Sequence, residues 1–347
     1  MSFKYIRKIP SVDEILAELP LSADLKQVKS RRDQEAIDIL TGKSKKFMLI
    51  IGPCSADNED AVCEYVSRLA KLNEKVKDLL MLVPRIYTNK PRTTGVGYKG
   101  MAHQPNPKEE PNIVEGLKAI RRMHIRVLQE THLTAADEML YPGNYPYLED
   151  LLTYVAIGAR SVENQQHRLT VSGLDIPIGM KNPTSGDLNV LLNSIQAAQA
   201  EHSFIYKGWE VKTPGNPYAH SILRGAFNQF GQNIPNFHYE DLNRLTEMYI
   251  KKGFANPAII VDVSHANCGK LFSEQPRVAM EVLQSMERSD QINIIVKGLM
   301  IESYLEEGSQ VVDGGVFGKS ITDPCLGWGD SQQLVLKIAD FISKLRQ

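Results

Sequence analysis

The chain is short of several things, and each shortage removes a class of function. It has four cysteines in 347 residues, Cys54, Cys63, Cys268 and Cys325, with no C-x-x-C pair among them. That argues against a structural zinc site or a disulfide framework and for a reducing, cytoplasmic home. Forty basic residues face 41 acidic ones, a net charge of -1, so no global field draws the molecule to nucleic acid or to a membrane. No apolar run approaches the ~18 residues of a membrane span, and the start, Met-Ser-Phe-Lys-Tyr-Ile-Arg-Lys, has no signal-peptide core. Repeats and low-complexity tracts are absent too. What remains is an ordinary globular composition, 42% hydrophobic and 23% charged, in a chain long enough to bury a large core.

Short apolar runs alternate with amphipathic segments from Phe47 onward. The runs are 47–51, 79–83, 133–140, 155–159, 176–180, 204–206, 258–263 and one within 292–301. Between them Ala61, Tyr65, Leu69 and Leu72 share a helical face, as do Leu188, Leu191, Leu192 and Ile195. Leu242, Leu245 and Tyr249 form another stripe, ended by Gly253, and Leu334, Ile338, Phe341 and Leu345 a last one. Residues 113–130 keep a helical period throughout, which places the third strand after them. Eight strands mostly separated by helices fit a (β/α)8 TIM barrel, class α/β, over residues 46–347. Residues 1–45 read as an N-terminal extension, and a short insert is expected after strand 6.

The ends of those runs carry chemistry. Pro53-Cys54 follows the first, Arg85 the second, and Glu138 lies near the end of the third. Arg160, Lys181 and Lys207 follow the fourth, fifth and sixth; His265 follows the seventh and Glu302 ends the eighth. In a barrel those ends share the face on which active sites lie. Cys54, His265 and Glu302, with Asp323 in Gly-Lys-Ser-Ile-Thr-Asp-Pro, would form a mixed-softness site for a divalent transition ion. Taken singly each has a plainer reading, a buried thiol, a bonded imidazole or a surface carboxylate; their shared placement favours the site.

The second feature is the stretch 84–100. Arg85, Lys90, Arg92 and Lys99 bring four cations into fifteen residues, among Pro, Gly and the hydroxyls of Thr93 and Thr94. Arg160, Lys181 and Arg224 add to it from other strand ends. Such a loop grips phosphate and carboxylate oxygens; a solvated basic loop is the ordinary alternative. Seven or so cations in one barrel mouth repel one another unless anions occupy it. Two other patterns fail. Gly-Lys-Ser at Gly42 and Gly318 lacks the upstream Gly of a P-loop, and Gly95-Val96-Gly97 has no helix after it.

These residues resemble a known family. Gly52-Pro53-Cys54-Ser55, Lys90-Pro91-Arg92-Thr93-Thr94, Ala156-Ile157-Gly158-Ala159-Arg160, Leu223-Arg224-Gly225, Ser264-His265-Ala266-Asn267, Glu302-Ser303 and the 318–323 block look like the type I, alpha-branch 3-deoxy-D-arabino-heptulosonate 7-phosphate (DAHP) synthases, in family order. That family condenses phosphoenolpyruvate with erythrose 4-phosphate, releasing phosphate, in the first step of the shikimate pathway. The resemblance makes Cys54, His265, Glu302 and Asp323 the ligands of one divalent ion, manganese first, with iron, cobalt or zinc as alternatives. It assigns Arg85, Lys90, Arg160, Lys181 and Arg224 to phosphoenolpyruvate, Arg92 and Thr93 to the sugar phosphate, and Glu138 to the pocket. Lys90, Cys54 and His265 become the catalytic residues, with Lys90 delivering a proton. A homodimer or homotetramer is expected, with no nucleic-acid or membrane partner.

The chain also departs from the pattern. The loop has an extra residue around Gly95 and Tyr98 in place of Trp, and Cys268 replaces Ser. Lys4-Tyr5 stands where regulated relatives carry an acidic pair. Asp175 replaces a small hydroxyl, and the segment 206–223 is short for the regulatory hairpin. Weak or absent inhibition by Phe or Tyr is therefore expected. Cys325, two residues from Asp323, is expected close enough to Cys54 for a disulfide once metal is lost. The rival readings are the sister synthase acting on arabinose 5-phosphate, which carries Lys-Ala-Asn-Arg-Ser in the loop, a metal-dependent aldolase, and a non-catalytic phosphosugar binder. A chorismate mutase fusion would need a helical domain for which the short N-terminal extension leaves no room.

Overall fold

The computed structural model describes residues 2–346. Eight parallel strands form the centre: β1 (Phe47–Gly52), β2 (Leu80–Pro84), β3 (Ala135–Glu138), β4 (Leu152–Ile157), β5 (Ile178–Lys181), β6 (Ala219–Leu223), β7 (Ile259–Asp262) and β8 (Val296–Glu302). They run side by side in the order β2-β1-β8-β7-β6-β5-β4-β3. A parallel bridge between Arg85 and Ala136, with the Ile86 amide donating to the Ala136 carbonyl at 2.9 Å, joins the two ends of that order. The sheet closes into a TIM barrel.

Most strands are apolar on both faces, as strands buried on both sides tend to be. Met48, Ile50, Met81, Val83, Ala136, Tyr154, Ala156, Ile222, Ile260 and Met300 pack into one interior cluster. Their neighbours of opposite parity, such as Leu49, Ile51, Leu82, Val155, Ile157 and Val261, join a larger cluster with the surrounding helices. Those helices are α3 (Glu59–Val76), α4 (Ile113–Thr131), α5 (Gln165–Val171), α6 (Leu188–Gln199), α7 (Tyr239–Lys252), α8 (Gln275–Arg288), α9 (Asp290–Ile295) and α10 (Trp328–Leu345). Side-chain caps start most of them: Asn58, Asn112, Asn164 and Asp187 accept from backbone amides of the first turn. Gly253, in the left-handed region, ends α7.

Before the barrel come α1 (Val12–Glu18), held by a Ser11/Glu14 capping box, and α2 (Ala23–Leu40). Ala36 and Ile39 of α2 join the barrel's interior cluster, so α2 closes the N-terminal end. Arg32 donates to the Leu82 carbonyl at 2.5 Å, and the Thr153 hydroxyl donates to Asp33 at 2.6 Å.

One strand assignment needs correction. The run 204–206 belongs to an antiparallel hairpin, His202–Tyr206 with Trp209–Thr213, that precedes the sixth barrel strand. Its tip is Lys207, exposed and at φ 51°, so Lys207 does not follow a barrel strand or face the mouth. The true sixth strand, Ala-His-Ser-Ile-Leu, hides its identity because two of its five residues are polar. His220 is satisfied inside the barrel by the Tyr154 hydroxyl and the Tyr218 carbonyl, both at 2.8 Å, and Ser221 by Ala258 at 3.1 Å. A second, smaller hairpin, Ala226–Phe227 with Asn233–Ile234, follows β6.

Candidate functional site at the C-terminal mouth of the barrel

The inward parity that builds the apolar interior continues, at the C-terminal ends, into charged residues. Arg85 follows β2, Arg224 follows β6, and Glu138, Lys181, Asp262 and Glu302 are the last residues of β3, β5, β7 and β8. A cavity of about 310 Å3 opens above them. Arg85, Lys90, Arg92, Thr93, Glu138, Arg160, Lys181 and Arg224, all eight residues assigned to substrates, line it together. Gly158 makes room for Glu138: a Cβ there would lie 2.3 Å from its Oε1.

Arg85 is 1% exposed and held from three sides. It donates to the Pro53 carbonyl, lies 3.0 Å from Glu302 Oε1, and its guanidinium sits 3.7 Å over the Tyr87 ring. Burial works against its charge, but Glu302 and its neighbours outweigh that and raise its pKa. Lys181 is buried 3.1 Å from Asp262 Oδ2. Asp262 also lies 3.0 Å from His265 Nδ1 and accepts from Ser264 at 2.5 Å. Burial opposes the Asp262 charge, yet His265 and Lys181 hold its carboxyl well below the usual range. Asp262 therefore orients one cation and one imidazole, with Oδ2 within reach of both.

The four residues assigned to metal converge in pairs. Cys54 Sγ lies 3.4 Å from Asp323 Oδ2, and His265 Nε2 lies 3.8 Å from Glu302 Oε1. Lys90 Nζ sits against the first pair, 2.5 Å from Cys54 Sγ and 3.0 Å from Asp323 Oδ2. Burial and the Glu302 charge push the Cys54 thiol up to about 11, whereas Lys90 draws the Asp323 carboxyl down. Burial of Lys90 is more than offset by Cys54 and Asp323, so it keeps its proton at neutral pH. Among the described residues no three His, Cys, Asp or Glu side chains form a ready metal cage. Cys54 and Cys325 are both free and fully buried, and the Cys325 thiol donates to the Asp323 carbonyl at 3.6 Å.

The loop 84–100 is a built structure, pinned on both legs. The Lys90 amide donates to the Lys99 carbonyl at 3.0 Å, and the Ala102 amide to Thr88 at 3.1 Å. Gly100, at φ 98°, passes so close to the other leg that a Cβ would lie 2.4 Å from the Thr88 carbonyl. Thr88 is anchored in turn by Asp137, through its amide at 2.8 Å and its hydroxyl.

Three residues of the mouth are not apparent from their residue types alone. Asp262 stands three residues before His265, and only the strand parity shows that it turns inward to meet both His265 and Lys181. Tyr87 supplies the aromatic face under Arg85, and its signal is again parity, two residues beyond Arg85. Lys270, at φ 62° with its ammonium 5.7 Å from the Phe227 ring centroid, lines the cavity from the turn after His265.

A TIM barrel whose mouth turns Arg and Lys side chains inward, over buried carboxylates and a thiol, defines an enzyme class that handles phosphorylated or carboxylated substrates. Comparison with known proteins narrows the class. The model of the DAHP synthetase I family matches residues 21–336. The phospho-2-dehydro-3-deoxyheptonate aldolase of Haemophilus influenzae is 35% identical over 354 residues, spanning 98% of this chain and 95% of that protein. The Phe-sensitive aldolase of that name from Escherichia coli K12 is also 35% identical, over 100% of this chain and 98% of its own length. The solved structure of the Francisella tularensis SCHU S4 aldolase superposes with a TM-score of 0.92 at 28% identity, covering 100% of both chains. The chain belongs to the DAHP synthetase I family, whose enzymes are 3-deoxy-7-phosphoheptulonate synthases.

Proposed function

We propose that the protein condenses phosphoenolpyruvate with D-erythrose 4-phosphate and water to give DAHP and phosphate, with one divalent metal ion. The observation that carries this reading is the mouth itself. Seven cations, Arg85, Lys90, Arg92, Arg160, Lys181, Arg224 and Lys270, line one cavity, with Glu138 and Asp323 the acids that line it among the described residues. Two anionic substrates answer that imbalance. Arg85, Lys181, Arg224 and Arg160 would hold the phosphate and carboxylate of phosphoenolpyruvate, with Asp262 and Glu302 fixing Lys181 and Arg85. Arg92 and Thr93, further out on the loop, would take the sugar phosphate.

Cys54, His265, Glu302 and Asp323 fit a manganese, iron, cobalt or zinc ion by donor chemistry. Two of their contacts are already formed, and a buried thiol beside two carboxylates is a donor set that a dication stabilises. Such an ion, when bound, supplies Lewis acidity toward the aldehyde oxygen. The chain's own residues do the rest. The cations align C3 of phosphoenolpyruvate with the aldehyde carbon and balance charge on the phosphate and carboxylate oxygens. C3 attacks the aldehyde and leaves C2 electron-poor; water adds at C2 and gives up one proton, and the hemiketal collapses to the C2 ketone as its C2–O bond to phosphate breaks, its hydroxyl proton leaving with the phosphate. Lys90, proton-bearing and buried between the two grips, protonates the forming alkoxide.

The test follows loss of phosphoenolpyruvate in metal-stripped protein offered erythrose 4-phosphate or arabinose 5-phosphate, each with and without manganese. Consumption only with erythrose 4-phosphate and only with added ion is expected. Faster turnover of arabinose 5-phosphate, or none under any ion, overturns the reading. Adding Phe or Tyr to the same assay addresses regulation. The exposed Lys4 and Tyr5, and Asp175, favour weak or no inhibition, while the relative named Phe-sensitive favours the opposite. Half-inhibition by micromolar Phe would decide for the latter.

A further inference from the structure

The N-terminal end of the barrel carries a second cavity, of about 380 Å3, remote from the mouth. It lies between the turn that leaves α2, the first residues of β1 and β8, and parts of α8, α9 and α10. Its apolar wall includes Met286, Ile294, Ile342 and Leu345, and its charged wall is Lys45, Lys297 and Arg346. Among the described residues no acidic side chain lines it. The size falls in the ~300–1,000 Å3 range of small-molecule sites.

Among the described residues no carboxylate answers two of its cations, Lys297 and Arg346. Lys297 is partly buried, and burial alone depresses its pKa, with no neighbouring carboxylate to offset the cost. Burial lowers the pKa of Arg346 too, and among the described residues it donates to the Leu79 carbonyl at 3.2 Å. Helix ends at Ile295 and Leu345 give such cations a mild electrostatic reason to be near. That reason does not explain a hollow left beside a desolvated ammonium, because a surface Lys satisfies a helix end from water. A cation desolvated without a partner lowers stability, and an anion in the cavity removes that cost.

We propose that this cavity binds a small amphiphilic organic anion, a carboxylate carried on an apolar body, with the carboxylate on Lys297 and Arg346 and the apolar body on Met286, Ile294 and Leu345. It lies at the opposite end of the barrel from the mouth, so its occupant is a separate ligand from the substrates.

Calorimetric titration of the full chain with 2-naphthoate, against neutral 2-naphthamide and with phosphoenolpyruvate present, tests it. One naphthoate per chain is expected, at least tenfold tighter than the amide. Lys297→Met removes the charge at equal length; it brings naphthoate down to the amide's affinity and raises Tm, since an uncompensated cation is gone. Ile294→Asp, at an exposed position where folding is not at stake, also weakens naphthoate at least tenfold. Equal affinity for acid and amide, unchanged naphthoate binding in both variants, or displacement of naphthoate by phosphoenolpyruvate overturns the proposal.

Discussion

Lys90 is the residue on which the proposed chemistry of the mouth turns. Its ammonium is the charge nearest to both Cys54 and Asp323, and it stands between the strand-end cations and the loop that carries Arg92. Lys90→Met keeps the length of the stem and removes the proton and charge, so turnover falls by about 10²–10⁴-fold, the usual worth of a positioned acid. Lys90→Arg does not restore it, because a planar guanidinium cannot replace a point charge in that space and does not release its proton. Steady-state rates of phosphoenolpyruvate loss, with circular dichroism to confirm the fold, decide the matter; near-normal turnover in Lys90→Met removes Lys90 from both binding and proton delivery. At this scale the sequence is readable where placement follows from residue type within a short stretch, as with Lys90 and Arg92, which both line the mouth. It is unreadable where function rests on a partner across the barrel. Lys181 and Asp262 are 81 positions apart and meet only because β5 and β7 both turn their last residue inward.

At the scale of elements, the loop 84–100 behaves as a clamp between two parts of the mouth. The Tyr98 hydroxyl donates to the Ala56 carbonyl at 3.1 Å, just beyond the turn that carries Cys54. The Tyr98 carbonyl accepts from Arg92 Nε at 2.8 Å. One buried residue thus ties Arg92, the proposed sugar-phosphate grip, to the β1 turn. Gly95, at φ 76°, lets the exposed tip fold back so that its amide reaches the Arg92 carbonyl at 3.0 Å. The two oddities of the loop sequence are accordingly a tether and a hinge for Arg92. Tyr98→Phe keeps the ring and loses a hydrogen bond worth about 1 kcal/mol. The KM for erythrose 4-phosphate is expected to rise severalfold with kcat and the KM for phosphoenolpyruvate nearly unchanged; steady-state kinetics with each substrate varied separates the two, and a fall in kcat alone counts against the tether. The hydrophobic pattern exposed most elements because both faces of a barrel strand are apolar. It failed at β6, where His220 is satisfied inside the barrel and Ser221 on its outer face, and the hairpin before it offered a more regular β pattern.

For the molecule as a whole, the buried titratable groups outside the mouth set its response to acid. His124 and His220 are held neutral by burial, down to about 3 and about 4 from 6.5. The unfolded chain takes up protons at 6.5 and the folded one does not, so their stabilising contribution is present above pH 6.5 and lost as pH falls below it. Asp57 and Asp137 are pushed the other way by burial, up to about 6 and about 7 from 3.8. Their folded forms prefer the proton, so stability is gained as pH falls through those values toward 3.8. Between pH 7 and pH 5 the two groups oppose each other, each of His220 and Asp137 contributing on the order of 2 kcal/mol at 1.36 kcal/mol per pKa unit. The wild-type Tm is therefore expected to change little between pH 7 and pH 5. His220→Gln takes away one acid-labile term, and its Tm at pH 5 rises relative to its Tm at pH 7. Asp137→Asn takes away an acid-stabilising term and shifts that difference in the opposite direction. Scanning calorimetry of the three proteins at both pH values reads the signs directly; if His220→Gln keeps the wild-type pH difference, His220 is not the buried neutral imidazole that its bonds to Tyr154 and Tyr218 describe.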